Sequence, residues 1–236
     1  MRIIIKVIAV LMMILISSHS YAQEAHDEYL MSKGRMFSTL TFSMDQRKAE
    51  NEDQLIRFVV DQNRFNYRIV GSGGIAVMDN LTLGLGVGYG RQREDITFLD
   101  ENDEEITTKR IQQGLALVPT MRTYVPLGKG RLQILVQTEL NLTIGESLQR
   151  NYYTNDVDKI RSDFFESQLG VSPGAILFFN RNWAFETTVG LAGISLRYEE
   201  EITNNDTGNS QKVLQSGVDL QLNLLQLNLG VAYYLD

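Results

Sequence analysis

The chain has 236 residues, a formal charge of −7, no cysteine and two histidines. Its 43% hydrophobic and 22% charged content excludes both a bundle of membrane helices and a disordered chain. The missing cysteines exclude disulfide scaffolds, thiol catalysis and cysteine-ligated metal centres, and 19 glycines against three prolines, with ten Tyr and ten Phe, point to a β protein.

Residues 1–22 read MRIIIKVIAVLMMILISSHSYA. A short basic start (Arg2, Lys6), an apolar run too short to span a bilayer, and small residues at Ser20 and Ala22 are the marks of a secretory signal peptide. Its removal leaves 20 basic and 29 acidic residues, a net charge of −9, and His26 as the last histidine. An acidic exported chain lacks the basic patches that nucleic acid requires, so no nucleic-acid partner is expected. Residues 23–35 are expected to form a short periplasmic arm.

From residue 36 onward, period-2 alternation recurs. The first run is Met36 to Met44. In the second, Phe65, Tyr67, Ile69, Ile75 and Val77 oppose Arg64, Asn66, Arg68 and Ser72. In the third, Leu81, Leu83, Leu85, Val87 and Tyr89 oppose Thr82 and a glycine row, Gly84, Gly86, Gly88 and Gly90. Ile111 to Val125 forms the fourth, Leu132 to Ile144 the fifth, Phe165 to Phe179 the sixth and Trp183 to Leu191 the seventh. The eighth, Val218 to Leu235, changes face near Leu224-Leu225, as a β-bulge would make it do. Tight turns are expected at 78–80, 126–130 and 180–182, and long polar loops at 46–62, 95–106, 147–160 and 200–214.

Eight strands with short turns at one end and long loops at the other predict an all-β fold, an eight-stranded antiparallel up-and-down transmembrane β-barrel over 36–235. A lipocalin-like barrel has the same strand count with the apolar face inside. The membrane form is favoured by long strands, by unbroken apolar faces, and by Tyr89, Phe179, Trp183 and Tyr233, placed as interfacial aromatic girdles.

The last strand carries a more specific pattern, in which Asn228, Gly230, Tyr233 and Leu235 occupy the polar, glycine, aromatic and hydrophobic positions. This resembles the C-terminal signal read by the outer-membrane barrel assembly machinery, although the usual terminal aromatic is replaced by Leu235 and followed by Asp236. The segments GGIAVMDNLTLGLGVGYG and PGAILFFNRNWAFETTVGLAG resemble hairpins of the outer-membrane β-barrel domain family, the small OmpA-, OmpX- and OmpW-type porin-like barrels common in Bacteroidetes. The resemblance implies a fold and an outer-membrane location, with lipid and the assembly machinery as partners, and it is nearly silent on activity. No further domain is expected after residue 235, unlike full-length OmpA-type proteins.

An eight-stranded barrel is just wide enough for side chains to fill it. Depth counted from the tight turns puts Arg122 and Glu186 in one layer and Arg68 and Glu139 in a second. Arg64, Glu94, Arg110 and Glu166 lie toward the loop end, with Arg64 opposite Glu94 and Asn66 opposite Gln92. Buried charges need partners, so an internal Arg–Glu network is expected to plug the lumen, with the glycine row making room for the arginines. The competing reading is a narrow pore lined by the same residues.

No enzyme is expected, since barrel enzymes of this size rely on a histidine with a serine and only His26 is available. No cofactor or metal is expected. The acidic runs Asp100 to Glu105 and Asp156 with Asp158 do not match an EF-hand and read as solvated loops. The expected role is non-enzymatic, structural or surface-interacting through external loops that contact an extracellular ligand or envelope protein. The alternatives are a narrow solute channel or a barrel subunit of a larger envelope complex.

Overall fold

The computed structural model describes residues 29–54, 57–99, 105–153, 156–204, 210–219 and 227–235. The signal peptide, most of the arm, the acidic run 100–104 and the bulge expected at 224–225 lie outside these residues. The described residues form ten strand segments: β1 (Met36–Gln54), β2 (Arg57–Met78), β3 (Leu81–Leu99), β4 (Glu105–Leu127), β5 (Leu132–Tyr152), β6 (Val157–Phe178), β7 (Trp183–Val189), β8 (Ala192–Thr203), β9 (Ser210–Asp219) and β10 (Leu227–Leu235). Every pairing is antiparallel. β7 and β8 both pair with β6 and are two halves of the seventh wall strand. β9 and β10 are two halves of the eighth, and β10 pairs with β1 as well as with β7. The result is a closed eight-stranded up-and-down barrel.

Closure satisfies the backbone, and alternation then decides what faces each side. Leu40 and Val87 are each 61% exposed on the outer wall, alongside Phe42, Leu85, Leu115, Ile144, Leu177 and Leu229. Thr39, Thr82, Thr120, Arg122, Gln137, Asn141, Ser172 and Glu186 are buried in the lumen. Apolar outside and polar inside is the reverse of a lipocalin, and it makes the fold a transmembrane β-barrel. On β3 the apolar band runs from Leu81 to Tyr89 before Arg91, Arg93 and Asp95 take over the same face. Nine tilted residues match the roughly 9–11 needed to cross a bilayer.

The tight turns fall at Asp79-Asn80, Gly128 to Arg131 and Phe179 to Asn182. Asn80, Gly128 and Gly130 have positive φ, which such short reversals demand. The other end differs from expectation. Much of 46–62, 95–106, 147–160 and 200–214 continues the strands as hairpins rather than forming loops. The reason is local: Ile96, Thr97, Thr107 and Tyr152 are strand formers, and cross-strand polar pairs such as Thr97–Thr107 at 3.1 Å and Arg161–Glu146 at 3.5 Å join the hairpins.

The seventh strand also departs from expectation. From Gly174↔Thr188 to Val171↔Ala192, β6 advances three residues while its partner advances four. This one-residue bulge at Gly190-Leu191 reverses the alternation, so Ile194, Leu196 and Tyr198 now face outward. Residues 192–203 therefore extend the wall beyond the strand end expected at Leu191 and into the loop expected at 200–214.

Leu85 lies midway along the apolar band. Leu85→Lys should destabilise the barrel by about 2–4 kcal/mol, the cost of a cation at the bilayer midplane. Urea unfolding in lipid vesicles measures it, and the same change at the external Arg93 should have little effect.

Candidate functional site: the layered lumen

The lumen is built in layers. At the tight-turn end, Phe37, Ala76, Tyr124, Leu135, Ile176, Phe178, Ala184, Ala232 and Tyr234 point inward and form a buried apolar cluster. The segment before β1 is packed into it. Met31 is fully buried, and the Arg35 guanidinium donates to the Leu30 carbonyl at 2.8 Å and lies near the Phe178 and Tyr234 rings. Gly34 N–H donates to Ala76 O, Ala76 N–H to Arg35 O, and Asn80 N–H to Met31 O, stitching 31–35 to the first tight turn. Gln133 Nε2 adds a bond to Tyr29 O at 2.7 Å. The end of the expected periplasmic arm thus serves as a stopper.

Above the cluster lies the most buried charge pair. Arg122 on β4 donates to Glu186 on β7 at 3.1 and 3.3 Å. The two residues are only 3% and 6% exposed. Tyr234 Oη on β10 donates to Glu186 at 2.6 Å, and the Arg122 guanidinium stands 4.7 Å from the Phe37 ring centroid. Three strands and the first are thereby tied across the lumen.

The second layer holds Arg68 and Glu139. Their closest approach is 3.9 Å, and the Arg68 guanidinium also bonds the Asn141 side-chain oxygen. Glu139 further accepts from Gln137 at 2.6 Å and Asn141 at 2.9 Å. Between these two layers a cavity of about 40 Å³ is lined by Thr120, Arg122, Gln137, Glu139 and Glu186.

The third layer lies toward the long hairpins. Arg197 on β8 donates to Glu166 at 3.1 Å, to Glu199 at 3.0 Å and across the lumen to Gln112 at 3.2 Å, with its guanidinium 3.9 Å from the Phe164 ring centroid. Arg110 reaches Glu199 at 3.4 Å, also across the lumen.

Several sequence-derived positions find other neighbours. Arg64 faces Glu94 in the backbone register, as Asn66 faces Gln92, but its side chain pairs with Asp45 at 3.1 Å. Glu94 instead accepts from Gln62 at 2.9 Å. The glycine row does not house arginines in general. A Cβ at Gly84 would come within 2.9 Å of both Thr120 Oγ1 and the Phe37 ring, and one at Gly86 would strike Ser72, so these glycines admit their immediate neighbours; only Gly90 borders Arg68. Arg197, Glu199, Asp45 and the aromatic cluster were not among the expected residues. The bulge hid the first two. The signal for the cluster was the run of apolar residues in lumen phase beside each tight turn: Tyr124, Leu135, Ile176, Phe178 and Tyr234.

Trp183 and Tyr233 stack outward at 4.9 Å, with Phe179 against Phe185 at 4.2 Å near the same rim. Tyr89 lies midway along β3 rather than near its end, grouped with Tyr67 and Phe65 where the apolar band stops. In β10, Asn228 points inward and donates to Thr188 at 3.1 Å, Gly230 sits against Thr41, and Leu235 is exposed outward. Asp156 and Asp158 accept from Val157 N–H and the Asn204 side chain rather than converging. Among the described residues no group of three or more acidic or histidine side chains is placed to hold a metal.

No protein-family model matches the sequence, and no curated protein matches it. Three solved structures align over most of their own length at low identity. A major outer membrane protein from Thermus thermophilus is 14% identical over 85% of this chain and 99% of its own, with a TM-score of 0.40. The outer membrane protein OprG from Pseudomonas aeruginosa is 13% identical over 89% and 98%, with a TM-score of 0.37. Neisserial surface protein A is 14% identical over 85% and 96%, with a TM-score of 0.33.

Breaking the deepest pair should be costly. Glu186→Gln or Arg122→Met alone should destabilise by about 3–5 kcal/mol, because each leaves a buried group without its partner. The double variant Arg122→Met/Glu186→Leu should lose less than the two singles combined, as a double-mutant cycle of urea unfolding in detergent will show.

Proposed function

We propose that this protein is a non-enzymatic barrel of the bacterial outer membrane whose lumen is closed, and that it acts through its hairpin end, structurally or by surface interaction. The carrying observation is the stopper: an apolar aromatic cluster, sealed by 29–35 and backed by the Arg122–Glu186–Tyr234 contact, fills the tight-turn end. A cavity of about 40 Å³ behind it has room for a water or two, not for a hydrated ion column.

The location rests on the apolar outer band, the aromatic rims and the export signal in the sequence. Outer-membrane lipid is the partner of the outer face. The β10 residues Asn228, Gly230, Tyr233 and Leu235 are proposed as the segment read by the barrel assembly machinery, which accords with β10 closing the ring on β1. The small OmpA-, OmpX- and OmpW-type barrels are the proposed family. The hairpin end carries exposed charge, including Arg93 with Asp95 and Arg161 with Glu146, as a surface meeting water or a partner would.

Single-channel recording of the folded protein in a planar bilayer tests the reading. We expect an intact but electrically silent barrel. Discrete, reproducible ion steps would overturn it in favour of a narrow channel, with Arg68, Arg122, Glu139 and Glu186 as its lining.

A further inference from the structure

We propose that the outer half of the lumen is a binding cup for a neutral, polyhydroxylated solute about the size of a monosaccharide. Beside the Arg68–Glu139 layer, and bordered by Asp45, Asn66 and Gln168 toward the hairpins, the barrel leaves a cavity of about 400 Å³, within the usual size range of small-ligand sites. Below it the lumen narrows to the 40 Å³ void and the stopper. Above it the ionic layer is unevenly exposed: the Arg64, Arg110 and Glu166 side chains are 33%, 33% and 27% exposed, while Arg197 and Glu199 are 14% and 4% exposed. With the tight-turn end filled, a solute would enter from the hairpin end, past the Arg197 and Arg110 contacts.

The glycines show that the space is kept rather than left over. In the closed half, the lumen-facing strand glycines are compelled by packing. A Cβ at Gly74 would come within 2.6 Å of the Phe37 ring, and one at Gly84 within 2.8 Å of Thr120. Around the cup the pattern reverses. A Cβ at Gly90 would meet nothing closer than 3.8 Å, at Gly170 nothing closer than 3.6 Å, and at Gly190 nothing within 4 Å. Gly190 belongs to the bulge, but Gly90 and Gly170 sit inside strands and are forced neither by neighbours nor by positive φ, although glycine weakens a strand. What they share is the wall of this cavity.

The lining sets the ligand's chemistry. Among the described residues of the wall the charged groups are matched, Arg68 with Glu139 and Asp45 with Arg64, so these offer an ion no free countercharge. Uncharged polar groups remain. Asn66 and Gln168 present carboxamides that make no hydrogen bond to another described residue, and Asn228 uses only its amino group. Ser43 and Ser172 add hydroxyls. Carboxamides both donate and accept, as a vicinal diol does, and the fixed Arg–Glu pair can bridge neighbouring hydroxyls.

The inference rests on the closed-lumen reading, and a different measurement tests it. Saturation-transfer NMR on the full detergent-folded chain should show transfer to glucose, sucrose or myo-inositol, with none to glutamate or choline. Gly90→Val, beside Arg68, and Gly170→Val, opposite Glu139, fill the cup while keeping every charged side chain, and each should weaken binding about tenfold or more while the strand signal in circular dichroism is unchanged. Gln168→Leu should weaken it without filling space. No transfer to any of the three polyols would overturn the proposal. So would undiminished binding in both valine variants, which would put the ligand on the hairpins, or preferred binding of a charged probe. An electrically conducting barrel that still binds the polyol in the cup would overturn the closed lumen alone.

Discussion

The contact of Arg122 with Glu186 and Tyr234 governs the interior, because it is where four strands far apart in sequence must agree. Arg122 comes from β4, Glu186 from β7 and Tyr234 from β10, while Phe37 of β1 lies against the guanidinium. Lumen-facing charges at this depth have little water to turn to, so their partners must come from the opposite wall. That requirement fixes register. A one-residue slip in β7 or β10 would turn Glu186 or Tyr234 to lipid and leave Arg122 alone. The pair therefore acts as a selector of the correct closure, whatever its net contribution to stability.

The same contact divides the lumen into two regimes. On the tight-turn side, space is filled to contact with aromatic rings, Met31 and the Arg35 guanidinium, and glycines occur where a neighbour's ring or backbone needs the room. On the hairpin side, ionic pairs are spaced by a cavity, and small residues border it with nothing pressing on them. Similar runs of glycine in two stretches of strand can thus mean opposite things, and only the distance to the absent Cβ separates them.

The fold was legible because alternation is a local property and the tight turns are punctuated by Asn, Asp and Gly. Depth counted from those turns puts Arg122 level with Glu186 and Arg68 level with Glu139, and both pairs meet. The method weakens with distance from the turn. The register still holds there, since Arg64 faces Glu94, but a strand has neighbours on both sides and the Arg64 side chain turns to Asp45 on β1. Hairpins beyond the membrane look like loops in sequence because both faces turn polar, and a polar strand keeps no apolar stripe to announce it. The stopper was hidden for the opposite reason: apolar residues on the inner face were absorbed into a pattern that assumed polar ones.

The bulge at Gly190-Leu191 shows how one residue changes what the lumen contains. Without it, Leu196 and Tyr198 would continue the inward phase of Ala184, Glu186 and Thr188, and Arg197 and Glu199 would project into the lipid-facing side. With it, apolar Ile194 and Leu196 cover the outer wall, and Arg197 turns inward to Glu166, Glu199, Gln112 and the Phe164 ring. Gly190 sits where the pairing partner advances by one residue less, which is the natural place for the backbone to absorb the difference. The shift also removes side-chain bulk from that stretch of wall, since Gly190, Ala192 and Gly193 all border the upper cavity. The same irregularity thus builds the upper ionic layer and opens the space beneath it.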